Sequence, residues 1–191
     1  YDDSNIFNKV IQSTLAVKNG EAACERDSVL FSEPQYSWPT LTFLMYAAIS
    51  KQGKLSVLDF GGSLGSSYFL NRPFLSELNI EWSVIEQPHF VEFGKKEVGD
   101  DILKFYYELS ECYQERDPNF LLLSSVIQYL EHPYEWLEIL LKLNVDFIFI
   151  DRTPFSYTSN EFIKIQKVPK TIYKASYPLH ILNILRLRLA E

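Results

Sequence analysis

The chain has 191 residues, and 47% of them are hydrophobic and 23% charged, which is the balance of a globular domain with one core. Its 18 Lys and Arg residues against 25 Asp and Glu residues give a formal net charge of −7. An acidic domain without a long basic run binds phosphate backbones poorly, so the composition argues against a nucleic-acid substrate. Cys24 and Cys112 have no metal-ligand spacing, which favours a reduced, cytoplasmic protein without a bound metal.

The start of the chain, its hydropathy and its methionine content lead to two further predictions. No signal-peptide pattern begins the sequence, and no run of 18 apolar residues predicts a membrane span. The only methionine is Met45, which indicates that the chain is a piece of a longer protein.

The first fifty residues predict helices. Apolar residues recur at helical spacing over 4–18, Ser4 is placed to cap the start, and Gly20 follows the end. A second helix begins near Pro39 and ends before Gly53. We therefore predict a helical N-terminal extension over residues 1–53.

After Gly53 the pattern changes to short apolar runs separated by helix-like stretches. The runs cover 55–60, 82–85, 104–109, 120–123 and 145–150, and the helix-like stretches cover 64–70, 88–98 and 134–143. Buried apolar runs that alternate with helices predict an α/β fold with a doubly wound, mainly parallel sheet of Rossmann type, formed by residues 54–191 as one compact unit.

The C-terminal part predicts less regular structure. Residues 161–168 favour a strand, and residues 185–189 alternate with period two, which suits an edge strand or a short amphipathic helix.

A glycine-rich turn follows the first predicted strand and opens a helix. Its sequence is Asp59-Phe60-Gly61-Gly62-Ser63-Leu64-Gly65. Glycines at such a turn let the backbone approach a ligand and direct amide N–H groups at it. The segment is either a tight turn without a ligand or part of a functional site, and three kinds of functional site fit a turn of this composition.

A dinucleotide site is the first possibility. The G-x-G-x-x-G spacing fails because Ser63 stands where the second glycine belongs. Asp59 also precedes Gly61 by two residues, and its carboxylate would repel a pyrophosphate. The sequence therefore disfavours NAD.

A serine hydrolase is the second possibility. Residues 61–65 match the G-x-S-x-G nucleophile elbow, and Asp151 and His180 follow Ser63 in the chain order of a catalytic triad. Against this, the residues before the turn look helical, and no glycine-rich oxyanion loop precedes it. This interpretation also leaves Asp59 and Glu86 without roles.

S-adenosylmethionine is the third possibility. The ligand carries an ammonium group and a cationic sulfur, which suit Asp59 at the end of the first strand. Its ribose hydroxyls suit a carboxylate at the tip of the second strand, where Glu86 stands about 20 residues beyond Gly65, the spacing of a ribose-binding acid. Asp59, the glycines and Glu86 together favour this cofactor.

The segment 57–65 resembles motif I of class I methyltransferases, with Ser63 in place of the middle glycine. The segments 58–68, 84–90, 123–130, 150–155, 166–169 and 176–178 resemble an uncharacterised bacterial methyltransferase family whose members accompany surface-polysaccharide genes. The resemblance spans about residues 21–177. It implies a seven-stranded fold, of which the sequence predicts five strands, so the C-terminal strands are expected to be truncated.

The resemblance also implies roles for single residues. The expected cofactor-binding residues, from motif I, the second strand tip, the third strand end and the fourth strand end, are Asp59, Gly61, Gly62, Ser63, Gly65, Glu86, Gln87, His89, Glu108, Ser124, Ser125 and Gln128.

Methyl transfer to a hydroxyl needs a base in reach of the acceptor. The candidates are Asp151, His132 and Tyr177, with His180 as a further one, while Arg152 is placed to pair with Asp151 or to bind an anionic acceptor. We expect a small-molecule acceptor, such as a saccharide or a surface-polysaccharide precursor. A domain that binds the cofactor without catalysis is the non-enzymatic alternative.

Overall fold

The computed structural model describes residues 4–158, 162–169 and 175–187. The strands are β1 (Cys24–Arg26), β2 (Val29–Phe31), β3 (Lys54–Phe60), β4 (Asn79–Ile85), β5 (Leu103–Tyr106), β6 (Phe120–Ser124), β7 (Phe147–Asp151), β8 (Phe155–Ser156), β9 (Phe162–Lys167) and β10 (Ser176–Asn183). The helices are α1 (Ser4–Lys18), α2 (Trp38–Ser50), α3 (Ser66–Leu75), α4 (Pro88–Phe93), α5 (Leu109–Glu115), α6 (Pro133–Leu141) and α7 (Ile184–Leu187). A π-helical turn, Gly94–Val98, continues α4, and a 3-10 turn, Ile127–Tyr129, follows β6.

The centre of the fold is a parallel five-stranded sheet in the order β5-β4-β3-β6-β7. The first strand of this sheet along the chain, β3, lies in its middle, and the order reverses between β3 and β6. Strands β3 and β6 are almost continuously buried because helices cover both faces of the sheet. The predicted doubly wound α/β fold is confirmed.

Two hydrophobic clusters fill the two faces of this sheet. One joins α1, α2, α3 and α4 to the sheet through residues such as Val10, Leu44, Phe69 and Phe90. The other contains Cys112 of α5, Leu137 and Leu140 of α6, and Leu182 of β10. The predicted extension over residues 1–53 therefore contributes helices to the central core, and the proposed boundary at residue 53 stays a prediction.

The five predicted strands and the main helices are present, with shifted ends. The predicted strand 104–109 ends at Tyr106, and α5 begins at Leu109. The strand expected at 161–168 is β9, and the alternating residues 185–189 begin in the helix α7 instead of an edge strand; residues 188 and 189 lie outside the described part.

Two features were not predicted. Residues 24–31, between the two N-terminal helices, form the hairpin β1–β2. Strand β10 pairs with β9 and β8 in a separate three-stranded sheet. Within the described ranges the main sheet has five strands, and the C-terminal strands β9 and β10 belong to the separate sheet. Of the helices in these ranges, none is long and apolar enough to cross a membrane.

Candidate functional site

A cavity of about 510 Å³ lies at the carboxyl ends of β3, β4, β6 and β7, and the residues that follow each of these strands line it. This is the edge of an open α/β sheet at which ligands bind, next to the reversal of strand order. Residues of β1, of α3 and of the start of α2 complete the wall.

The turn between β3 and α3 forms the floor of the cavity, and its glycines are needed there. Gly61 has φ of +71°, and a Cβ at this position would lie 2.3 Å from the Val126 side chain. A Cβ at Gly62 would lie 2.5 Å from the carboxyl carbon of Asp59. Ser63 also has a left-handed backbone, with φ of +55°, where glycine costs less.

Asp59 lies beneath this turn and is only 1% exposed. The Trp82 indole N–H donates to its Oδ2 over 3.1 Å. Burial raises the pKa of the Asp59 carboxyl to about 7, the Trp82 hydrogen bond opposes this, and the neighbouring Glu86 charge adds to it. The side chain is therefore poised to ionise when a cation arrives.

Glu86 follows β4 and accepts two backbone hydrogen bonds. The Ser63 N–H donates to Oε1 over 3.2 Å, and the Gln87 N–H donates to Oε2 over 2.8 Å. Burial raises the pKa of this carboxyl as well, against the effect of those two donors. The two carboxyls that the sequence places at neighbouring strand ends thus line one cavity, linked through the glycine turn.

The ends of β6 and β7 form the other side of the cavity. Asp151 Oδ2 accepts a hydrogen bond from Thr40 Oγ1 over 3.1 Å and a longer one from Ser124 Oγ over 3.5 Å. Ser125 lines the cavity too and has φ of +57°. Gln128 lies behind it, buried, and its Nε2 donates to Ser125 Oγ over 3.1 Å.

The structure brings together nine of the residues that the sequence proposed, all of them lining the cavity: Asp59, Gly61, Gly62, Ser63, Glu86, Gln87, Ser124, Ser125 and Asp151. Six others do not line it: Gly65, His89, Glu108, Gln128, His132 and Tyr177.

For these six the local packing explains the difference. Gly65 starts α3 against Leu103. The His89 ring packs edge-on against Phe7, with centroids 4.7 Å apart, so it faces α1. Glu108 is exposed, and its Oε2 accepts a hydrogen bond from Ser110.

Gln128 supports Ser125 from behind, as described above. The side chain of His132 is 62% exposed and lies 3.9 Å from Glu135. Tyr177 lies on β10 beside Tyr129, with ring centroids 6.4 Å apart.

Sequence reasoning missed several lining residues. Glu25 of β1, Thr40 of α2 and Trp136 of α6 all reach the cavity. Trp136 packs on Phe60 with ring centroids 5.2 Å apart and is 37% exposed, so an aromatic face remains open to a ligand. In the sequence Trp136 looks like one more residue of the apolar face of α6, and neither Glu25 nor Thr40 stands in a motif.

The geometry does not favour a hydrolase at Ser63. Its positive φ resembles the strained turn of a nucleophile elbow. Over the described ranges, however, no histidine lines the cavity, and Asp151 binds Thr40 and Ser124 instead of a histidine. His180 lies on β10, opposite Ile163, and is not among the cavity residues.

Neither a scan of protein-family models nor a search of curated proteins finds a match to this chain. Solved structures do resemble it. The N-terminal domain of EvdMO1, crystallised in the presence of SAH and D-fucose, has a TM-score of 0.49 and 12% identity, covering 94% of this chain and 84% of that chain.

The DhpI-SAM-HEP complex has a TM-score of 0.44 and 12% identity over 99% of this chain and 89% of that chain. The Burkholderia thailandensis 1,6-didemethyltoxoflavin-N1-methyltransferase, with bound 1,6-didemethyltoxoflavin and S-adenosylhomocysteine, has a TM-score of 0.44 and 12% identity over 100% of this chain and 80% of that chain. At these identities the likeness gives no residue its role.

Proposed function

We propose that the chain is an S-adenosylmethionine-dependent methyltransferase that acts on a small molecule. The observation that carries this proposal is the pair of carboxyls around the glycine turn. Glu86 stands beside the turn at the tip of β4, and Asp59 lies beneath it. A cofactor with a positive charge, an ammonium group and two ribose hydroxyls complements these acceptors, whereas the pyrophosphate of NAD does not.

Glu86 and Asp59 would interact with different parts of the cofactor. Each Glu86 oxygen holds one amide N–H and keeps a lone pair free for a ribose hydroxyl. The buried Asp59 offers negative charge beneath the turn that would hold the amino-acid end. When bound, the cofactor supplies the methyl group on a cationic sulfur.

The chain's own contribution to the reaction is alignment and proton removal. Asp151 is the cavity-lining candidate for the base, because Thr40 and Ser124 fix its Oδ2. Within the described ranges Oδ1 receives no hydrogen bond from another residue, so it is available to a hydroxyl of the acceptor.

A saccharide or a surface-polysaccharide precursor is the acceptor we favour. The open face of Trp136 suits stacking on a sugar ring, and Asp151 suits its hydroxyls. The resemblance to a bacterial family supports the same acceptor class, and the two free, buried cysteines support a cytoplasmic location.

Calorimetry with S-adenosylhomocysteine tests the proposal. The wild-type protein should bind, and Glu86→Gln should weaken binding about tenfold to a hundredfold, because a charge-assisted hydrogen bond contributes about 1.5 to 3 kcal/mol. Glu92→Gln, an exposed change on α4, is the matched control and should leave the affinity unchanged. A flat trace for the wild-type protein would remove the proposal.

The hydrolase alternative has its own test. A fluorophosphonate probe should leave Ser63 unlabelled, and labelling that depends on Ser63 would favour a hydrolase. A protein that binds the cofactor and methylates none of a panel of sugars and sugar phosphates would fit the non-catalytic alternative.

A further inference from the structure

The hairpin β1–β2 carries a further carboxyl, that of Glu25, to the cavity. Its turn is formed by Asp27 and Ser28, both with positive φ, as in the tight turns that join short antiparallel strands. This turn directs the Ser28 N–H to Glu25 Oε2 over 3.1 Å, and the Ser66 hydroxyl donates to Glu25 Oε1. The Glu25 side chain is thus fixed from both sides as it lines the cavity.

Ser66 is the first residue of α3, directly after the glycine turn, so Glu25 lies beside the segment that would hold the cofactor. The charges that act on Glu25 are those of Asp27 and Arg152, and Arg152 acts on Asp59 as well. Glu25 therefore reaches the cavity from the side of the hairpin and α3, whereas Glu86 reaches it from the end of β4.

The wall around Glu25 is rich in hydrogen-bond acceptors. Asn71 also lines the cavity and is 1% exposed. Its Nδ2 donates to the Ser67 carbonyl over 2.8 Å, and its Oδ1 has no hydrogen-bond partner among the described residues. A half-buried carboxylate and an unpartnered carbonyl oxygen that line one cavity favour a ligand group that brings positive charge and several N–H donors.

We propose that Glu25 binds the primary ammonium group at the amino-acid end of the cofactor, so that the hairpin β1–β2 is part of the cofactor site. This inference rests on the proposed function. An ammonium has three donors and one positive charge, which matches a carboxylate whose oxygens each retain a free lone pair. Asn71 Oδ1 adds a neutral acceptor to the same wall. An amine on the methyl acceptor has the same chemistry, and the ligand pair below separates the two sources.

The experiment compares two ligands on the wild-type protein and on Glu25→Gln. One ligand is S-adenosylhomocysteine, and the other is its deaminated analogue, which lacks only the ammonium group. In the wild-type protein, removing the ammonium should weaken binding about tenfold to a hundredfold. In Glu25→Gln both ligands should bind alike, within about threefold, at the affinity of the analogue.

Glu33→Gln is the matched control, because Glu33 is exposed and follows β2 without lining the cavity. It should preserve the wild-type preference for the ammonium. Glu25→Asp keeps the charge on a shorter side chain and should retain part of that preference, which serves as a second variant if Glu25→Gln does not fold.

Each outcome decides the question. A variant without the Glu25 carboxylate that still prefers S-adenosylhomocysteine overturns the inference, and this includes the case in which Glu25 serves an amine of the methyl acceptor. Equal weakening of both ligands also overturns it, because Glu25 would then act only through the shape of the turn. If the wild-type protein binds neither ligand, the proposed function fails first.

Discussion

Asp59 and Glu86 are carboxyls at strand ends, the first buried and the second half-buried, and this environment determines their pKa values. Both follow or end an apolar strand, so the protein removes them from water, and burial raises the pKa of each. Their mutual repulsion within one cavity favours a ligand that brings positive charge. This pair could be predicted from the sequence because each acid stands at or directly after the end of a short apolar run.

The buried Asp59 makes stability depend on pH with a sign opposite to that of a salt-bridged acid. Its pKa rises from 3.8 to about 7 on folding, so the folded protein binds the proton more tightly than the unfolded chain. Stability is retained at low pH and is lost as the pH rises from about 4 to about 7, by about 4 kcal/mol in all.

Asp59→Asn should remove this loss, because the amide stays neutral and its oxygen can still accept from Trp82. The expected gain in the free energy of unfolding is about 3 kcal/mol larger at pH 8 than at pH 4.5. Urea unfolding of both proteins at both pH values measures it. If the free energy of unfolding changed with pH in the same way for both proteins, the raised pKa of Asp59 would be contradicted.

At the scale of elements, the turn between β3 and α3 differs from the usual glycine pattern at one residue. Ser63 has φ of +55°, a conformation that costs an L-residue about 1 to 2 kcal/mol. Glycine avoids that cost but loses more conformational entropy on folding, about 0.5 to 1 kcal/mol.

Ser63→Gly should therefore raise the free energy of unfolding by about 0.5 to 1 kcal/mol. It should leave the affinity for S-adenosylhomocysteine unchanged, because Glu86 accepts from the backbone N–H of residue 63, which glycine retains. Denaturant unfolding and calorimetry measure the two effects. A loss of hydrolytic activity in this variant would point instead to a nucleophilic serine.

The elements that sequence reasoning missed are short and depend on distant partners. Strands β1 and β2 have three residues each, too few to show a period of two. Glu25 of β1 lines the cavity and is held there by its contact with the distant Ser66. Thr40 likewise lies inside α2 and becomes a site residue through Asp151. Local patterns predicted the sheet, and long-range contacts determined which loops complete the site.

At the scale of the whole molecule, the cavity draws residues from the first forty positions and from four strand ends of the sheet. Its charged lining residues are mostly acidic, and Arg26 and Arg152 are partly balancing charges; the acids are Glu25, Asp27, Asp59, Glu86 and Asp151. The acidic cavity and the formal net charge of −7 both disfavour phosphate-rich ligands.

We expect S-adenosylhomocysteine to stabilise the fold against unfolding and NAD not to stabilise it. S-adenosylhomocysteine at 100 times its Kd should add about 2.7 kcal/mol to the free energy of unfolding. For a chain of this size that corresponds to a rise in Tm of about 5 to 10 °C. NAD at the same concentration should leave Tm unchanged, and a comparable rise with NAD would contradict the assignment of Asp59.

The backbone N–H groups of Ser63 and Gln87, which donate to Glu86, have a consequence for the sugar that the site prefers. With one N–H on each oxygen, the carboxylate has a single outward lone pair per oxygen, arranged for a vicinal diol. A 2′-deoxy nucleoside would donate a hydrogen bond to only one of the two oxygens and leave the other without a donor from the sugar. Under the proposed function, the turn backbone therefore lets the site distinguish ribose from deoxyribose.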